Sequence, residues 1–263
     1  MKKFITTFVS VCLLFVLPSA AVAAEDGQEY SLDELHMKIS IPDDYIVLTR
    51  DIKELPDVFA ESGQTVADMQ KDFEAKHIYL EALKADFTDE IIITMTNQDQ
   101  IYDMQPVSET DLDKIAKAML DLQANKNDEA QEILDTQGVE KMQFLDYTYS
   151  RYPEVTYLKL NKKMTQTGID MEINGLQYFT VKNGQSVNIV MNSYTGPLTD
   201  DQKNLLDQVV KTANYENIPE PANFKKSGGI DWAEVGIVGL ISGVAAGTAI
   251  GLYNYFRKKR KGT

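Results

Sequence analysis

The sequence predicts a domain of the α/β (α+β) class, a mainly antiparallel sheet flanked by helices, followed by one C-terminal transmembrane helix. Three observations predict it. Segments of period-two hydrophobicity recur between residues 37 and 194. Segments with helical periodicity lie between and after them. Near the end, Val235 to Phe256 is a run of 22 residues without a charge.

Residues 25–30 read as a short polar lead-in. Met37, Ile39 and Ile41 alternate with Lys38 and Ser40, the pattern of a half-buried strand. Pro42-Asp43-Asp44 makes a turn, and Tyr45 to Thr49 is a second strand. Thr65 caps a helix running to about Lys76, with Val66, Met69 and Phe73 on one face and Asp68 in the first turn. Ile78 to Ala85 and Glu90 to Asn97 are strands; Ile91-Ile92-Ile93 marks the second as central and buried on both faces. Thr110 starts a helix with Leu112, Ile115, Met119 and Leu122 aligned, and Asp128 to Asp135 forms a short one.

From Met142 onward strands dominate: Phe144 to Tyr149, Val155 to Leu160, Ile169 to Val181 and Ser186 to Tyr194. Asn183-Gly184 is a two-residue hairpin signal. Asn174-Gly175 is either another turn or a bulge in a long strand. Thr199 caps a last helix through about Thr212, with Leu205, Leu206, Val209 and Val210 facing the sheet.

The two ends carry targeting information. Residues 1–24 have the layout of a cleaved signal peptide: Lys2 and Lys3, an uncharged stretch from Phe4 to Leu17, then small residues up to Ala24. Cys12 lies inside the apolar stretch, so it does not fit a lipobox and leaves with the leader. Residues 25–216 are the expected extracytoplasmic domain and 217–234 a Pro- and Gly-containing linker. As a helix, residues 235–256 would reach roughly 33 Å, enough to span a bilayer. Trp232 lies at one end and Tyr253, Tyr255 and Phe256 at the other. The tail, 257–263, opens with Arg257, Lys258, Lys259, Arg260 and Lys261, which set the cytoplasmic side. No L-P-x-T-G motif precedes the run, so retention in the cell membrane is expected, with the domain outside. Gly239, Gly243, Gly247 and Gly251 share one helix face, a groove for packing against another membrane protein or a second copy.

Charge and chemistry narrow the function classes. Residues 25–230 hold 19 basic and 38 acidic residues, a net of −19, which argues against nucleic acid as a partner. His36 and His77 each precede an apolar segment, and no G-x-S-x-G elbow accompanies them. Asp43-Asp44, Asp111 with Asp113, and Asp200-Asp201 are local acidic pairs that do not fit a calcium loop. Phosphate-binding and dinucleotide fingerprints are absent, so no cofactor is expected and no catalytic or metal residue is assigned. Tyr147, Tyr149, Tyr152 and Tyr157 form the most aromatic stretch; they read as strand residues or as a candidate recognition surface.

The opening MKISIPDDYIVLTR (residues 37–50) runs a strand through Ile41-Pro42 into a second strand. The late GLQYFTVKNGQSVNIVMNSYTGPLTDDQKNLLDQVVKTANY (175–215) is a hairpin, a helix and a closing strand. Together they resemble the α/β/α sandwich of PsbP photosystem proteins, DcrB-type bacterial lipoproteins and a Ran-binding nuclear transport factor. The resemblance covers most of 30–216. It implies an accessory or binding role and supplies no catalytic residues to carry over. The expectation is a non-catalytic, membrane-anchored binding or assembly module of the bacterial cell envelope. The alternatives are an envelope hydrolase, or a ligand sensor acting through a membrane partner.

Overall fold

The structure is a computed structural model and describes residues 27–59, 63–124, 131–132, 134–135, 138–166, 169–222, 224 and 230–243. The expected leader, Gly247, Gly251 and the basic cluster Arg257 to Lys261 lie outside the described residues. So does part of the short helix expected at Asp128–Asp135, of which 131–132 and 134–135 are helical.

The strands are β1 (Gly27–Leu32), β2 (Met37–Pro42), β3 (Tyr45–Thr49), β4 (Ile78–Lys84), β5 (Asp89–Asn97), β6 (Val139–Arg151), β7 (Thr156–Gln166), β8 (Ile169–Lys182), β9 (Gln185–Ser193) and β10 (Asn214–Tyr215). The helices are α1 (Val66–Ala75), α2 (Glu109–Ala124), α3 (Asp200–Thr212) and α4 (Trp232–Gly243). Seven strands form one sheet in the order β3-β4-β5-β9-β8-β7-β6. Every described pairing in it is antiparallel. β5 lies inside that sheet, and Ile91, Ile92 and Ile93 are fully buried, as the apolar run predicts.

Three readings of the sequence change. The polar lead-in is a strand: β1 pairs with β2, and β10 pairs with the other edge of β2. Met37–Pro42 therefore belongs to a separate three-stranded sheet, not to the main one. Short strands with charged outer positions give no apolar signal of their own; pairing supplies it. Helix α2 starts at Glu109 rather than Thr110, because Ser108 Oγ accepts the Asp111 amide at 3.2 Å. Asn174-Gly175 makes neither turn nor bulge. Gly175 lies in unbroken register, opposite Lys162 on β7 and Asn192 on β9.

Local chemistry explains the well-placed boundaries. Thr65 and Asp68 exchange hydrogen bonds as a capping box at 3.1 Å each. Thr199 and Gln202 do the same at 2.8 and 3.2 Å. Asn183 and Gly184 both take positive φ, 56° and 71°, as a tight hairpin turn requires.

The main sheet is covered on both faces. One face packs against β1, β2, β10 and α3 around Ile39, Tyr157, Tyr178, Ile189, Leu206 and Val210. The other packs against α2 and α4 around Leu112, Met119, Phe144, Leu160, Phe179 and Val235. Beside it α1 closes a smaller cluster on Phe59, Met69, Phe73 and Ile92.

Candidate functional site

Alternation along five neighbouring strands places a polar row on the α2/α4 side of the main sheet. Lys162 (β7) faces Gly175 (β8), which faces Asn192 (β9), which faces Glu90 (β5). Asn188 and Thr94 pair further along β9 and β5, with Gln177 on β8 and Glu81 on β4 beside them. All are buried: Lys162 is 1% exposed, the other polar side chains are 0% exposed, and Gly175 between them is buried too.

The row is wired across strands. Asn192 Nδ2 donates to Glu90 Oε1 at 2.9 Å, and the Tyr194 hydroxyl donates to the same oxygen. Gln177 Nε2 donates to Asn188 Oδ1 at 2.7 Å. Gly175 makes the crossing of Lys162 feasible. A Cβ at that position would lie 2.8 Å from Lys162 Cε, 3.1 Å from its Cγ and 2.8 Å from Asn192 Oδ1. Two buried acceptors, Asn192 Oδ1 and Gln177 Oε1, have no hydrogen-bond partner among the described residues. An unmet buried acceptor costs about 1–3 kcal/mol.

Burial lowers the Lys162 pKa to about 7, and the nearby Glu90 carboxylate opposes the shift by favouring the ammonium. Burial pushes the Tyr194 phenol well up, with Glu90 and then Glu81 adding to it, so Tyr194 stays a neutral donor. The row therefore offers an amine that titrates near neutrality, two carboxyl groups, a phenol and three amides. These are recognition groups that match both donors and acceptors.

Helix α4 packs across β9, β5 and β8 and along α2. Val235 is fully buried. Gly236 and Gly239 permit the close approach: a Cβ on Gly236 would meet Ala118 Cβ at 3.1 Å, and one on Gly239 would meet the Phe179 ring at 3.2 Å and Met119 Cε at 3.3 Å. Gln100 Nε2 donates to Glu234 Oε2 at 2.9 Å, and Lys114 sits 5.4 Å from the Trp232 ring. Residues 216–222 and 224 follow the domain surface. The Tyr102 hydroxyl bonds the carbonyls of Ile218 and Pro219 at 3.1 and 3.2 Å, and its ring meets Phe224 edge-on at 5.1 Å. Asn183 brackets the chain by bonding Glu216 O and Ile218 N at 2.9 and 3.2 Å.

The residues singled out in the sequence fall as follows. Gly239 is buried against the domain, and Gly243 ends α4. Tyr157 is fully buried, and Tyr152 packs edge-on against it at 5.9 Å on the α3 side. Tyr147 and Tyr149 pack on the α2 side instead, so the four tyrosines do not share a surface. His36, just after a 3-10 turn at Asp33–Leu35, and His77, just after α1, hold positive φ, 48° and 56°. His36 lines a surface depression of about 510 Å³ with Ser31, Asp33 and Glu216. There Ser31 Oγ donates to Asp33 at 2.8 Å while His36 Nδ1 pairs with Glu216 at 3.4 Å, so serine and histidine are engaged separately. Asp111 accepts from the capping Ser108 Oγ at 2.8 Å and pairs with Lys114 at 2.8 Å; Asp200 pairs with Lys203 at 3.4 Å. No cluster of three or more metal-ligating side chains occurs among the described residues.

Sequence reasoning did not find the polar row. Its signal was single polar residues within apolar strands, Glu81, Glu90, Lys162 and Gln177, and the pair Asn188 and Asn192 four apart on β9. Such positions read as a solvated face unless something covers it.

No protein-family model and no curated protein matches the chain. Among solved structures it is similar to cyanobacterial PsbP from Synechocystis sp. PCC 6803, at 13% identity and a TM-score of 0.44, over 74% of this chain and 96% of that one. A Bacteroides thetaiotaomicron protein matches at 8% identity and a TM-score of 0.38, over 73% of this chain and 49% of that one. A Pseudomonas aeruginosa protein of unknown function matches at 10% identity and a TM-score of 0.29, over 74% and 99%. Each of these is a similarity in the arrangement of strands and helices alone.

Proposed function

We propose that this chain is a membrane-anchored, extracytoplasmic binding or assembly module of the bacterial cell envelope, acting without catalysis. The observation that carries the reading is the order of segments at the C-terminus. Helix α4, Trp232–Gly243, opens the uncharged run to Phe256, and five basic residues follow it. Among the described residues no helix is long and apolar enough to cross a membrane, so the span itself is part of the proposal. The leader-like residues 1–24 support an outside location for the domain. The acidic surface suits a soluble domain held clear of anionic lipid.

Crosslinking mass spectrometry of the full chain in its own membrane tests this, beside a Gly243→Leu/Gly247→Leu variant. A partner or self-contact that the variant loses is the expected result. No contact in either form overturns the assembly role. Release of the chain by alkaline carbonate overturns the anchor.

A further inference from the structure

We infer that α4 is a releasable strap: docked, it covers the polar row of the main sheet, and released, it leaves that row open to solvent and to binding. Two independent features support this. The first is the floor. A helix docked for good is best received by apolar side chains, since buried polar groups lose their hydration. Here α4 rests on Ala118, Met119 and Phe179 and packs along the strands that also carry Glu90, Asn188, Asn192 and Gln177, while the Lys162 stem crosses Gly175 on β8. Asn192 Oδ1 and Gln177 Oε1 have no hydrogen-bond partner among the described residues in the docked state. Both would regain hydrogen bonds from water or a ligand on release, so lifting the helix costs less than it would over a wholly apolar floor.

The second feature is length, and it rests on the membrane reading above. Val235 to Gly243 are shared between α4 and the uncharged run. If they stay docked, residues 244–256 remain, at most about 20 Å as a helix against a hydrocarbon core of about 30 Å. Full insertion and full docking compete for the same residues. The groups uncovered on release suit a polar ligand with both donors and acceptors, such as a peptide backbone or its charged end.

The test locks the strap. A Cβ on Gly236 lies 3.1 Å from Ala118 Cβ, close to disulfide range. The full chain carrying Ala118→Cys and Gly236→Cys, with Cys12→Ser if the leader is retained, is placed in phosphatidylcholine/phosphatidylglycerol vesicles. It is then treated with the N-hydroxysuccinimide ester of acetic acid. Acetylation of Lys162 is read by peptide mass spectrometry against Lys182, which is paired with Asp103 at 2.7 Å. Lys162 should label at least tenfold more slowly in the oxidised chain than in the reduced chain. A second variant, Gly239→Leu, pushes against Phe179 and Met119 and should speed Lys162 labelling with Lys182 unchanged. Equal Lys162 rates in all forms overturn the strap. A joint rise at Lys162 and Lys182 means unfolding and also overturns it. Vesicle flotation is scored separately: a chain that does not float defeats the anchor reading, while Gly239→Leu in solution still decides the strap.

Discussion

Gly175→Ala is the sharpest probe of the polar row, because the structure says what the new methyl group meets. In a solvent-free strand the change would be neutral or slightly favourable, since alanine loses less backbone entropy on folding by about 0.5–1 kcal/mol. Here the Cβ arrives 2.8 Å from Lys162 Cε and 2.8 Å from Asn192 Oδ1, well inside contact distance, with both neighbours fully buried. Overpacking of this kind costs about 1–3 kcal/mol. For a domain of this size that lowers Tm by about 2–12 °C. In a Lys162→Ala background the offending Cγ and Cε are gone, and Asn192 gains room to turn. The same Gly175→Ala change should then be close to neutral, with a coupling of about 1 kcal/mol or more between the two sites. Thermal or urea unfolding of the wild type, both single variants and the double variant measures it. An equal Gly175→Ala penalty in both backgrounds would refute the claim that this glycine exists to let the lysine cross.

Three further outcomes follow from the same groups. Lys162→Met keeps the stem and removes an amine whose pKa burial lowers to about 7. The sign runs opposite to a salt-bridged lysine: above about pH 10 both states are neutral and nothing is lost. As pH falls from about 10 to 7 the unfolded chain takes the proton first and wild-type stability drops, by at most about 5 kcal/mol, then levels off. The Tm advantage of Lys162→Met should therefore grow between pH 9.5 and 7 and flatten below; a pH-independent difference defeats the assignment. Thr199→Ala removes the cap of α3 and should cost about 1 kcal/mol in urea unfolding, with Thr199→Ser retaining most of it. Asp103→Ala leaves Lys182, 6% exposed, without its carboxylate and should cost about 3 kcal/mol, far more than the exposed pair Lys203–Asp200 loses in Asp200→Ala.

Much of the fold was legible where one residue decides a boundary. Thr65 and Thr199 announce their helices because a side-chain oxygen at N-cap satisfies a backbone donor locally. Asn183-Gly184 announces its hairpin because few residue pairs tolerate two positive φ values. β1 was not legible, since its polar outward positions carry no burial signal until β2 is beside it. Gly175 was misread for a related reason. Glycine in a strand signals either a bend or a close approach, and only the neighbour across the ladder, Lys162, tells which.

The polar row and α4 were hidden from the sequence by one shared ambiguity. Val235 to Gly243 has the hydropathy of a membrane segment, and hydropathy reports a preference for leaving water without naming the destination. Assigned wholly to the bilayer, those residues leave the α2 side of β5, β8 and β9 uncovered. Glu90, Gln177, Asn188 and Asn192 then read as ordinary solvent-facing positions of an antiparallel sheet. Docked on the domain, the same residues turn that face into an interior, and the same four side chains become buried groups that need partners. A glycine face has the same double meaning. In lipid Gly239 would permit close helix packing, and in the structure it permits close packing on Phe179. A sequence that serves both environments must be apolar enough for lipid and small enough at Gly236 and Gly239 to lie flat on a protein. The sheet beneath must tolerate water when the helix leaves. Val235–Gly243 meets the first two conditions and the polar row meets the third, so they are best understood together, as two halves of one movable contact.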